Sequence, residues 1–135
     1  MVVALLLSAS IASSQVRADP CDGADTISMA KCMDGKIARA TQRLNEYTGR
    51  AKARFESEDR STMKAISDAA VAFEAYRKTY CGAVFEEWRE GTIRYAMHQN
   101  CELRLIDQQT HHVWQDFLTY VDSTPPLLPE PKPTD

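Results

Sequence analysis

Four cysteines constrain this chain more than any other feature. They are Cys21, Cys32, Cys81 and Cys101, separated by 11, 49 and 20 residues. An even number in a small exported chain reads as two disulfides. A zinc site built from all four is the rival reading, but such sites use close C-x2-C pairs, and none is present. Any fold for this chain must therefore bring two pairs of sequence-distant cysteines into contact.

The disulfide reading requires export, and the N-terminus supplies the signal for it. Val2 to Leu7 is a short apolar run, followed by small residues and Val16-Arg17-Ala18. Val16 and Ala18 suit signal-peptidase cleavage before Asp19. No Lys or Arg precedes the apolar run, which leaves the true start codon open. The run is far below the ~20 residues that a membrane span needs. Ala18-Asp19-Pro20 before Cys21 does not suit lipid attachment. Residues 1–18 are thus expected to be a signal peptide, and the product periplasmic or secreted, without a membrane anchor in its mature form. At 135 residues, one domain is expected.

Loss of residues 1–18 removes Arg17 and leaves 15 basic against 19 acidic residues, a net charge of −4. That balance argues against nucleic acid as the partner, since phosphate binding needs a basic face. It is compatible with steering toward a basic protein.

The periodicity is helical throughout. Asp25 or Thr26 is placed to cap a first helix over about 26–57. Met33, Ile37, Ala40, Leu44, Tyr47, Ala51 and Phe55 follow at steps of three and four, a one-sided stripe. Lys36, Arg39, Arg43, Arg50, Lys52 and Arg54 lie between them and read as a solvated face. Glu56 to Arg60 has no apolar residue and reads as a turn. A second helix is expected over 61–81, with Met63, Ile66, Ala70, Phe73, Tyr76, Arg77 and Tyr80 as its stripe. Gly82 is placed as its C-cap. The following loop, 82–91, carries apolar Val84, Phe85 and Trp88 beside acidic Glu86, Glu87 and Glu90. Its large side chains either fold back on the core or present themselves to a partner. A third helix is expected over about 92–120, on Ile93, Met97, Leu103, Ile106, Val113, Phe117 and Leu118. Residues 122–135 hold five prolines, which forbid helix and favour an extended, disordered tail.

The resulting fold class is all-α, a three-helix antiparallel bundle stapled by two disulfides. In up-down-up order all four cysteines fall at one end. Cys81 and Cys101 each lie ten residues from Gly91 and so face one another across the second connection. Cys32 has its level partner near Glu86, and Cys81 misses that level by about 7 Å at 1.5 Å rise per residue. The favoured pairs are Cys21–Cys32 and Cys81–Cys101, with a Cys32–Cys81 crosslink as the alternative.

No nucleophile motif, phosphate loop or metal signature is present, so no catalytic residue, metal ligand or cofactor is assigned. His98, His111 and His112 read as surface histidines. Arg77 stands out on an apolar stripe, where a guanidinium must reach water or a carboxylate. Two roles are open for it. It ties helices together through Asp22, Asp34 or Glu102, or it anchors a partner with Tyr76 and Tyr80.

Several pieces, in order, resemble the LprI-like lysozyme-inhibitor family of small exported bacterial proteins. They are Cys21 and Cys32, Leu44-Asn45-Glu46-Tyr47, Ala72-Phe73-Glu74-Ala75-Tyr76-Arg77 leading to Cys81, Gly91-Thr92, and Cys101. The resemblance covers about 21–118, within a helical domain placed at 19–121. It implies a non-enzymatic, disulfide-held module that binds a protein, with lysozyme as the partner the family name suggests. An envelope structural or stress-related module with another partner is the second reading, and a cryptic enzyme or metal binder the third. Tyr76, Arg77, Tyr80, Phe85, Glu86, Glu87, Trp88 and Glu90 are the candidate partner-binding residues.

Overall fold

The computed structural model describes Cys21 and residues 25–135. The expected signal peptide lies outside the described residues. Among those described, the chain forms three helices and no strand. They are α1, Thr26–Phe55; α2, Arg60–Glu87; and α3, Arg94–Val113, which runs into a π-helical turn, Trp114–Leu118.

Two aspartates start the first two helices. Asp25 accepts from the backbone N–H groups of Ile27 and Ser28, both at 3.1 Å. Asp59 does the same for Ser61 and Thr62, at 3.0 and 3.2 Å. Each carboxylate satisfies donors that a first helical turn leaves free. Asp59 belongs to the stretch expected as a plain turn, and it ends that turn as a cap. The third helix starts at Arg94 behind Ile93, without a side-chain cap.

The core follows the α1 stripe. Ala40, Leu44, Tyr47 and Ala51 are buried against Ile66 of α2, Ile106 and Val113 of α3, and Leu118 of the π-helical turn. A second cluster, Cys81, Cys101 and Leu105, carries the staple between α2 and α3, with Phe73 and Val84 packed on it. Both disulfides join the favoured pairs, Cys21–Cys32 and Cys81–Cys101, each with Cα atoms 5.7 Å apart.

Four local expectations give way. Gly82 does not cap α2, which continues through it to Glu87. A mid-helix glycine costs about 1 kcal/mol against alanine. Val84 packing beside the disulfide offsets that cost. Second, Tyr76 and Tyr80 are exposed instead of completing the α2 stripe. The inward line is Phe73, Arg77, Cys81 and Val84, and each tyrosine precedes one of its members by one residue, about 100° around the helix. Ile93 is likewise outside the α3 stripe and half exposed. Third, the basic residues of α1 are not a uniformly solvated face. Lys36 is buried. Arg43 pairs with Asp107 of α3 at 2.8 Å. Arg54 donates to the carbonyls of Phe117 and Thr119, at 2.6 and 3.1 Å, and lies over the Tyr120 ring. It thereby serves carbonyls at the end of the π-helical turn, where helix-bonding partners run out.

Fourth, residues 122–135 are extended but lie against the bundle, in place of the disordered tail their prolines suggest. Leu127 and Leu128 pack on the main core, and the Leu127 N–H donates to the Leu118 carbonyl at 2.8 Å. Prolines leave an extended segment little conformational freedom to lose on docking, and two adjacent leucines give it apolar surface to bury.

Candidate partner-binding surface

Arg77 sits where α2 meets α3. Its guanidinium donates to Glu102 on α3 at 2.7 Å and to Glu74 on its own helix at 2.6 Å. The Arg77 side chain is 16% exposed and that of Glu102 21%. His98 lies 3.7 Å from the other Glu102 oxygen, and its Nδ1 is 2.9 Å from the Cys81 carbonyl oxygen. Arg77, Glu102 and His98 thus form a polar tie beside the Cys81–Cys101 staple. Of the three acidic partners expected for Arg77, the geometry selects Glu102. Asp34 instead accepts from Gln99, and Asp22 lies outside the described residues.

Phe85 also turns inward. Its ring meets Tyr95 edge-on at 5.1 Å and His98 at 5.8 Å, and the Arg94 guanidinium stacks over it at 3.7 Å. Phe85 therefore supports the α2–α3 connection from beneath. The side chains it holds up are the exposed ones: Glu86, Glu87, Trp88 and Glu90. Glu90 is 93% exposed at its side chain, and Trp88 39% overall. Ile93 and Tyr95 add apolar surface to the same end, with Tyr95 65% exposed.

The tip is acidic, though not uniformly so. Arg89 lies 3.5 Å from Glu90, and Arg94 lies 3.8 Å from Glu86. Three carboxylates stand against two guanidiniums. Exposed pairs of this kind contribute roughly 0–1 kcal/mol, so they leave the tip free to exchange partners.

Tyr76 and Tyr80 pack ring to ring at 5.5 Å. Ala72, Ala75 and Ala83 around them are exposed and small, so both rings stand clear of the helix. Tyr76, Tyr80, Ala83 and Glu87 follow at steps of four, three and four and share one line on α2. That line spans about 16 Å at 1.5 Å per residue and runs into the acidic tip. The candidate residues thus divide. Tyr76, Tyr80, Glu86, Glu87, Trp88 and Glu90 are exposed, whereas Arg77 and Phe85 are half-buried against α3. Sequence reasoning missed Ile93 and Tyr95. The Gly91-Thr92 break just before them was the available signal that Ile93, the N-cap, and Tyr95, in the first turn of α3, flank the exposed connection.

Three carboxyls elsewhere are held below their ordinary range by local hydrogen bonds. Asp59 is lowered to about 2, first by the Ser61 and Thr62 hydroxyls and then by the Thr62 N–H. Asp25 is lowered chiefly by the Ser28 hydroxyl, and Asp122 by that of Thr124. These mark caps and turns, not reaction chemistry. Among the described residues no group of three or more His, Cys, Asp or Glu is arranged to hold a metal, and no helix is long and apolar enough to cross a membrane.

Residues 19–112 match the family described as Lysozyme inhibitor LprI. The matched span contains all four cysteines, the Arg77–Glu102 tie and the whole α2–α3 tip. No curated protein and no solved structure matches the chain.

Proposed function

The chain belongs to the LprI lysozyme-inhibitor family, and from that premise we propose that it is an exported, non-enzymatic protein-binding module whose target is a lysozyme. The family match over 19–112 is the observation that carries this reading. The two disulfides support action outside the reducing cytosol, in the periplasm or beyond the cell.

In this reading the working surface is the α2–α3 tip and the tyrosine line that leads to it. Tyr and Trp are efficient interface residues, because they bury a large area with few rotamers to freeze. Glu86, Glu87 and Glu90 add charge complementary to a basic hydrolase. Such charge raises the encounter rate more than the final affinity, and salt screens it. Inhibition then follows from obstruction: a narrow, braced tip seated at the substrate cleft excludes the polysaccharide without any bond being made or broken.

The test is lysis of bacterial cells by lysozyme, followed by turbidity. Purified disulfide-bonded protein is expected to slow lysis in a dose-dependent way. No effect at large molar excess over several lysozyme types overturns the proposal.

A further inference from the structure

The docked tail shows how its groove reads a ligand. The groove lies between α1 and α3 and ends at the π-helical turn. The Tyr47 hydroxyl donates to the Pro129 carbonyl at 2.8 Å, and the Trp114 indole N–H donates to the Leu128 carbonyl at 2.9 Å. Leu127 and Leu128 fill the apolar floor. Further along, Asp107 accepts from both the N–H and the hydroxyl of Thr134, at 2.8 Å each. His111 Nε2 lies 3.1 Å from Glu130.

This is the chemistry an extended proline-rich strand requires. Proline has no N–H, so much of such a strand's main chain offers only carbonyls. A receptor must then bring donors on rigid aromatic side chains, the logic of proline-rich peptide recognition. Tyr47 and Trp114 supply those donors. Tyr47 is buried, and burial is the first cause that raises its phenol pKa, so the hydroxyl stays a donor across physiological pH. The tail is joined to the bundle only through residues 121–124, all exposed. The family match ends at residue 112, before Trp114 and the tail, while Tyr47 and Asp107 fall inside it.

We propose that this groove is a binding site for extended proline-rich peptides with a Leu-Leu-Pro core, and that the tail occupies it in cis as a displaceable latch. A short tether gives the tail an effective concentration of order mM. A peptide in trans therefore binds well only when the tail is released or weakened.

The experiment uses the full chain with a protease recognition sequence inserted between Asp122 and Ser123, cut after folding. Trp88→Phe leaves Trp114 as the single tryptophan reporter, since the chain holds two. On dilution the cut tail is expected to leave, and a synthetic peptide of residues 123–135 to rebind saturably and restore Trp114 emission. The uncut chain should respond at least ~10-fold more weakly, because its tail competes at high effective concentration. The same peptide carrying Leu127→Asp and Leu128→Asp should not bind. Failure of the wild-type peptide to rebind a cut chain that keeps its helicity and both disulfides overturns the proposal, as does equal binding of the Asp-substituted peptide. Should cutting unfold the bundle, the uncut Leu127→Ala/Leu128→Ala chain, shown by circular dichroism to keep its helicity, weakens the cis ligand while leaving Tyr47, Asp107 and Trp114 in place. Peptide binding about tenfold tighter than in the wild type is then expected, and unchanged binding overturns the latch.

Discussion

Arg77→Ala separates the tie from the anchor most sharply. The wild-type guanidinium is 16% exposed and bonded to a Glu102 carboxylate that is 21% exposed. Removing one partner of a fully buried pair costs about 3–5 kcal/mol, and an exposed pair contributes about 0–1 kcal/mol. One-sixth to one-fifth exposure places Arg77→Ala between these, at about 2 kcal/mol. Glu74, on the exposed side, adds little. For a domain of this size each kcal/mol moves Tm by about 4 °C, so a fall of about 8 °C is expected. The assay is urea unfolding of Arg77→Ala, Glu102→Ala and the double variant. The double should be milder than the sum of the singles by about 1–2 kcal/mol, because each single takes the cross-helix partner from a half-buried charge that the double removes. Additivity within about 0.5 kcal/mol, or a negligible loss for Arg77→Ala, refutes the tie. Intact folding with lost partner binding returns Arg77 to the anchor role.

Three further expectations can be checked alongside. Replacing Cys81 and Cys101 together by Ala should cost about 3 kcal/mol from the reopened loop, read as a lower urea midpoint, and a loss below about 1 kcal/mol contradicts it. Ile106→Ala, at a 1% exposed core position, should cost about 3 kcal/mol, whereas Ile93→Ala should stay within about 0.5 kcal/mol. The Asp59 carboxyl should titrate by NMR with a midpoint of about 2, well below its ordinary 3.8. A folded pKa below the unfolded one means that the cap's contribution is complete above the unfolded value and is lost as pH falls from there through about 2. A midpoint at 3.8 removes the cap from acid stability.

The stripe from Ala40 to Ala51 was legible because helix α1 hides one face against everything else. The disulfide pairing was legible because helical rise fixes which cysteines share a level. Local signals failed where distant residues decided the outcome. Gly82 reads as a stop until Val84 and the buried disulfide carry the helix through it. Tyr76 and Tyr80 look like stripe members because they flank Arg77, and one residue of rotation puts them in solvent. The tail reads as disordered because its receptor is assembled from Tyr47, Asp107 and Trp114, which only the folded bundle brings together. At the candidate surface, the acidic tip was visible in sequence as Glu86, Glu87 and Glu90. The inward turn of Phe85 depends on Arg94, Tyr95 and His98 of the next helix, and no local pattern announces it.

The measurement that bears most directly on function is a titration of lysozyme's lytic rate with the wild-type protein and with a Glu86→Lys/Glu87→Lys/Glu90→Lys variant. All three positions are exposed, so the variant should fold as the wild type does. The wild type is expected to inhibit, with a dependence on salt, and the triple variant to need at least ~10-fold more protein for the same effect. A wild type that leaves the rate unchanged, or a triple variant that inhibits equally well, contradicts the role assigned to the tip.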